Sequence, residues 1–157
     1  MSITELAPAK LNLTLDVGAR RPDGYHEITS VMQSAALYDV VTPETVETDD
    51  IVVECPGTDL PTGPDNLAWK AADVFFQETN IPHTGIFIRL EKKIPSQAGL
   101  GGGSSDAAAV LRGMRRLFSA NVSDEALETM AARVGSDVPY CVRGGTALAR
   151  GRGERLT

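Results

Sequence analysis

The stretch Lys93–Ala109 reads KIPSQAGLGGGSSDAAA: Gly99, a run of three glycines at Gly101–Gly103, then Ser104, Ser105 and Asp106. It lies between a segment of alternating apolar residues and one with helical spacing. Glycine loses more conformational entropy on folding than any other residue, so a glycine run at the mouth of a helix calls for an offsetting gain. One gain is anion binding. The free N–H groups and the positive dipole end of a helix N-terminus attract phosphate, and glycine lets the backbone close around its oxygens. The other reading is a flexible turn with Ser104 or Ser105 as helix N-cap. Three familiar glycine patterns do not fit. A Walker loop needs Lys then Ser or Thr after its last glycine, and Gly103 is followed by two serines. GxGxxG started at Gly99 meets Ser104 at its last place. The protein-kinase loop joins two strands, and here a helix follows.

Other residues able to do chemistry each have a plain alternative. Lys10 lies on an otherwise apolar or small polar strand, where a lysine can simply reach solvent. Asp137 precedes Val138–Pro139 and reads as a helix N-cap with proline in the first turn. Lys92 can be an ordinary strand-end lysine, and Asn66 a helix cap. Tyr25 and His26 follow Asp23–Gly24 and can be turn residues.

The elements that must position these groups follow from periodicity. Residues 3–18 predict a half-buried strand with Leu11, Leu13, Leu15 and Val17 on one face and Asn12, Thr14 and Asp16 on the other. Residues 19–27 hold a turn, 28–41 and 50–55 read as strands, and 56–64 as loop. Asp65 or Asn66 caps a helix with Leu67, Ala71, Val74 and Phe75 on its apolar face. Residues 84–91 form a strand. After the glycines, Ala107, Leu111, Met114 and Phe118 line one helical face. Ser123 caps a third helix that Gly135 ends. Residues 145–157 read as a hairpin. Strands and helices mix without strict alternation, which favours an α+β domain.

The chain has 157 residues, enough for one domain with a real core. No apolar run is long enough to span a bilayer, and no basic-then-apolar signal opens the chain. Cys55 and Cys141 have no metal-like spacing. A cytoplasmic protein with reduced thiols, and no membrane partner, is the default expectation. The net charge of −6 argues against a large nucleic-acid footprint.

PSQAGLGGGSSDAAA resembles the second motif of the GHMP kinases, the family of galactokinase and of homoserine, mevalonate and phosphomevalonate kinases. The third consecutive glycine and the acidic residue after the serines look most like the branch of 4-diphosphocytidyl-2-C-methyl-D-erythritol kinases of the non-mevalonate isoprenoid pathway. APAKLNLTLDV resembles the first family motif, RRPDGYHEITSVMQ the substrate-binding segment, and VGSDVPYCVRGGTALARGRGE the catalytic-aspartate segment. The resemblance covers nearly the whole chain. It implies a GHMP kinase N-terminal domain over 1–157, with a ribosomal protein S5 domain 2-like fold.

It implies ATP with Mg²⁺ as cofactors and a cytidyl diphosphate alcohol as substrate, phosphorylated on its 2-hydroxyl. Lys10 and Asp137 would meet beside that hydroxyl, the aspartate as base and the lysine as its partner. ATP would lie on Pro95, Ser96, Gln97, Ala98, Gly99, Leu100, Gly101, Gly102, Gly103, Ser104 and Ser105, with Lys92 and Asn66 nearby. Tyr25 would stack on the cytosine, His26 would bond its polar edge, and Asn12 would touch the substrate. No metal ligand is assigned. The family's chains run to roughly twice this length. The expectation is therefore a C-terminal GHMP domain beyond Thr157, an inactive isolated half, and weak pairing of two copies through the face left exposed. Two rival readings are another GHMP kinase with a different alcohol, and an RNA-binding module on the same fold.

Overall fold

The structure is a computed structural model that describes residues 1–157. One mixed sheet carries helices on one side. Strand β1 (Glu5–Arg20) turns back into the long β2 (His26–Val46), and β3 (Ile51–Glu54) follows. Helix α1 (Leu67–Glu78) leads to β4 (Gly85–Glu91), and α2 (Gly102–Leu117) starts in the glycine run. Helices α3 (Asp124–Val134) and α4 (Val138–Arg143) precede the hairpin of β5 (Thr146–Gly151) and β6 (Arg155–Leu156). The sheet order is β3-β4-β2-β5-β6, and β1 pairs with the other edge of β2. Only β3 and β4 run parallel, joined through α1; the other pairs are antiparallel. The α+β expectation holds.

Local chemistry explains the helix starts. Asn66 is extended, and its side chain accepts the N–H of Ala68 at 2.9 Å. Ser123 caps α3 in the same way through Ala126. Gly135 ends α3 in an extended conformation, with its N–H on the carbonyl of Ala131. Helix α2 starts differently: its N-cap is Gly101, left-handed at φ 65°, with no side-chain cap. Ser104 and Ser105 lie inside the helix, so neither is the N-cap that the turn reading required. Phe118 lies one residue past the helix and packs on the core from there.

Ile86, Ile88 and Leu90 of β4, Met32 and Val41 of β2, Phe75 of α1, Leu111 and Met114 of α2 and Leu127 of α3 make the fully buried core. Helix α2 is buried on most of its circumference, because it packs against α1, α3, α4, β1 and β2 together. No helix is long and apolar enough to cross a membrane.

The reading of β1 needs correction. Its register with β2 shifts between Asn12 and Thr14, where Leu13 is the extra residue of a bulge. Leu11 pairs with Gln33 on the face away from Met32, whereas Leu15 and Val17 pair with Ser30 and Ile28 on the face that Met32 shares. The four apolar side chains therefore do not form one face. Nor are they buried: Leu11 is 39% exposed, Leu13 59%, Leu15 50% and Val17 61%. The helices cover β1 only as far as Lys10.

Candidate active site

Three hydrogen-bonded ties hold the glycine loop and the helix it opens against β1. The N–H of Lys10 donates to the carbonyl of Leu100 at 2.9 Å. Ser105 Oγ donates to the carbonyl of Pro8 at 2.7 Å, and Arg112 of α2 donates to the carbonyl of Leu6 at 2.9 Å. The first backbone bond of the helix runs from the N–H of Ser105 to the carbonyl of Gly101. The N–H groups of Gly102, Gly103 and Ser104 thus have no helical acceptor and point out of the helix end.

These amides open into a cleft of about 450 Å³. Its lining contains Lys10, Asn66, Lys92, Asp137 and every residue from Pro95 to Ser104. It also contains Leu60, Pro61, Leu67 and Asp106. Ser105 is fully buried below it, engaged with Pro8.

Lys10 is 7% exposed. Its stem passes over Gly101, where a Cβ would stand 2.6 Å from Lys10 Cγ. The missing side chain lets the lysine cross the loop, and its Nζ then lies 3.2 Å from Asp137 Oδ2 and 2.9 Å from Asn12 Oδ1. Asp137 does occupy the N-cap position of α4, but its side chain makes no cap bond. Its carboxylate faces Lys10 instead. A carboxylate held beside an ammonium at the mouth of an anion cradle can accept a proton from a bound hydroxyl.

Tyr25 and His26 lie outside the cleft, at the tip of the β1–β2 hairpin. The turn is closed by the N–H of Arg21 on the carbonyl of Tyr25 at 2.7 Å, with Gly24 at φ 86°. Tyr25 is 51% exposed, and the Arg152 guanidinium lies 4.9 Å from its ring centre. His26 Nδ1 is 3.1 Å from the carbonyl of Gly18. A ring nitrogen so placed donates, which leaves Nε2 free. The β5–β6 turn links this tip to the cleft: Arg152 covers Tyr25, and a Cβ on Gly153 would meet Asp137 Oδ1 at 3.4 Å.

Lys92 is no ordinary strand-end lysine. Its ammonium is buried between the carboxylates of Asp39 and Asp106. Sequence reasoning missed both partners. Asp106 stands in the quoted glycine stretch, but Asp39 sits inside a strand pattern that carries no signal. Burial pushes the Cys141 thiol, on the buried face of α4, up to about 12, and that of Cys55 upward as well.

The family description "GHMP kinases N terminal domain" matches residues 66–145. The 4-diphosphocytidyl-2-C-methyl-D-erythritol kinase of Bacillus subtilis is 47% identical over 156 residues, 99% of this chain and 54% of that protein. The protein of the same name from Pelotomaculum thermopropionicum is 49% identical over the same span, again 54% of its length. The chain spans about half the length of the curated relatives it matches. Among solved structures, a 4-(cytidine 5'-diphospho)-2C-methyl-D-erythritol kinase superposes with a TM-score of 0.81 at 42% identity, over 99% of this chain and 54% of that one. The mevalonate kinase of Methanococcus jannaschii shares the fold, with a TM-score of 0.75 at 15% identity over 100% of this chain and 55% of that one. With the glycine cradle, the Lys10–Asp137 pair and this match in hand, the chain belongs to the GHMP kinase N-terminal domain family.

Proposed function

We propose that this chain is the N-terminal, nucleotide-binding half of a kinase that transfers the γ-phosphoryl group of ATP to the 2-hydroxyl of 4-diphosphocytidyl-2-C-methyl-D-erythritol. The observation that carries the reading is the Lys10–Asp137 pair at 3.2 Å on the rim of the glycine cradle. Phosphoryl transfer has a loose transition state, so the protein mainly positions the partners and stabilises charge. The amides of Gly102, Gly103 and Ser104 would receive the phosphates. Asp137 would accept the hydroxyl proton as the O–P bond forms. Lys10 would hold that carboxylate in place and offset the negative charge of acceptor and γ-phosphate.

Mg²⁺ would arrive with ATP on its phosphate oxygens. No group of three or more histidine, cysteine or acidic side chains converges at the cleft; of its three carboxylates, Asp137 and Asp106 face ammonium groups and Asp65 is exposed at the edge. The cleft therefore fits no protein-built Mg²⁺ cage. Lys10, Asp137 and the loop amides act directly on the proton and on the phosphate charge.

The hairpin tip supports the cytidyl alcohol over other acceptors. Tyr25 offers an exposed ring for stacking, and the free Nε2 of His26 would hydrogen-bond the polar edge of cytosine. Asn12, held by Lys10, would contact the alcohol. A mevalonate or homoserine acceptor has no base to hold there.

The test titrates the 157-residue chain separately with ATP and with the cytidyl alcohol, then repeats both with the chain extended to its relatives' length. The chain alone should unfold cooperatively, bind ATP weakly and transfer no phosphate, because one wall of a cleft forfeits most of the roughly 7–11 kcal/mol that positioning can supply. The extended chain should turn over. His26→Ala in the extended chain should weaken the cytidyl substrate by about 1–3 kcal/mol and spare ATP. Equal weakening of both, or turnover of mevalonate in place of the cytidyl alcohol, would defeat the substrate assignment.

A further inference from the structure

A buried charge cluster lies under the cradle, and the proposed transfer makes no use of it. Lys92, the residue after β4, places its ammonium between Asp39 of β2 and Asp106 of α2. The two carboxylates are 0% and 2% exposed. Asp39 is fully engaged. One oxygen accepts from Lys92, and the other accepts the backbone N–H groups of Lys93 and Ile94, the latter at 2.8 Å. Asp106 is not. Its Oδ2 accepts from Lys92 at 2.5 Å, and its Oδ1 is buried without any partner.

Two carboxylates share one ammonium, so the fully ionised cluster would keep one uncompensated negative charge out of water. That is costly, and a buried group in this position takes up a proton instead. The unpartnered Oδ1 is the oxygen available for it, since both oxygens of Asp39 already accept hydrogen bonds. The cluster also adjoins the phosphate site. A Cβ on Gly102, the first residue of α2, would stand 3.4 Å from Lys92 Nζ, and Lys92 and Asp106 both line the cleft. Phosphate charge arriving at Gly102 raises the cost of the excess negative charge below it.

We propose that Asp106 is a nucleotide-linked proton site: a polyphosphate entering the glycine cradle drives protonation of Asp106 Oδ1, leaving Asp39 as the charged partner of Lys92 and no uncompensated negative charge beneath the phosphates. The proton comes from the buffer, and no bond other than the new O–H forms. The proposal rests on reading the loop as a nucleotide cradle. The titratable groups facing Asp106 are Lys92 from the segment after β4, Asp39 from β2, Cys55 from the end of β3 and Cys141 from α4. Burial holds both thiols in the neutral form, so Lys92 and Asp39 set the local charge. Burial, only partly offset by Lys92, pushes the Asp106 carboxyl up to about 7, so a small further push at neutral pH changes its state.

The experiment is calorimetric titration of ATP into this chain at pH 7.5, in two buffers of different ionisation enthalpy, alongside Asp106→Asn. Wild type should take up roughly half a proton more per ATP than the variant, which carries only the titration of ATP itself. Between pH 7 and 8.5 the wild-type Kd should rise up to about tenfold relative to the variant. A second readout needs no variant. The side-chain carboxyl ¹³C resonance of Asp106 in the wild-type chain should move to its protonated position when ATP is added at pH 7.5. Equal proton uptake by both proteins, or an Asp106 resonance that stays ionised in the ATP complex, would overturn the coupling and leave the nucleotide reading standing. Failure of ATP to bind either protein at millimolar concentration would overturn both.

Discussion

Lys10 and Asp137, at opposite ends of the chain, meet with 3.2 Å between Nζ and Oδ2. Two features make the meeting. The N–H of Lys10 is tied to the carbonyl of Leu100, which fixes the start of the side chain. Gly101 then presents no Cβ to the stem, and Asp137 makes no cap bond that would turn its carboxylate away.

Asp137→Asn, in the chain extended to its relatives' length, should keep nucleotide affinity and lose turnover. The amide preserves shape and removes the base, and a positioned general base is worth roughly 10²–10⁴-fold in rate. Retention of more than about a tenth of wild-type kcat at neutral pH would show that another group takes the proton.

Gly101→Ala should damage both fold and site. Position 101 is left-handed at φ 65°, and the new methyl would lie 2.6 Å from Lys10 Cγ. A non-glycine residue there costs roughly 1–3 kcal/mol in backbone strain, and the lysine stem must shift as well. Thermal unfolding should move down. Gly57→Ala is the control: it has a similar φ of 73° and open space around it, so it carries the backbone cost alone. Equal losses for the two variants would show that the Lys10 contact is unimportant.

Leucines of similar sequence pattern should differ sharply. Leu111 is fully buried among the helices, and Leu111→Ala should cost about 2–5 kcal/mol in denaturant unfolding of this chain. Leu13, the bulge residue, is 59% exposed, and Leu13→Ala should stay within about 0.5 kcal/mol. A large loss at Leu13 would mean that β1 is covered in solution, as pairing of two copies would do.

Stability should also depend on pH through Asp106. Its carboxyl holds its proton up to about 7 in the folded chain and releases it near 3.8 when exposed. The folded state therefore binds more protons than the unfolded state across that window, and stability falls as pH rises through it. The contribution is complete below about 4 and gone above about 7. Urea midpoints measured from pH 5 to 8 should drop in wild type and flatten in Asp106→Asn. Parallel curves would show that the Asp106 carboxyl titrates at an ordinary value.

Much of the architecture was legible because its causes are local. Asn66 and Ser123 announce helix starts, since a short polar side chain satisfies a free amide a few residues on. Pro22, Asp23 and Gly24 announce the hairpin turn for a similarly local reason. The glycine run before an apolar helical pattern marked the cradle, and four motifs in order marked the family. What depends on distant chain segments was not legible. Nothing near Asp39 says that it will neutralise Lys92, because the contact arises only when β2, β4 and α2 pack together. The alternation in β1 looked like a buried face. A one-residue bulge splits it, and coverage ends at Lys10, because burial depends on what the rest of the fold lays over a strand. The residue types that could do chemistry were set by the sequence. Which of them stand within 3 or 4 Å of one another, and which charge is left uncompensated, was decided by tertiary packing, because electrostatic interaction depends on distance and burial that chain order does not encode.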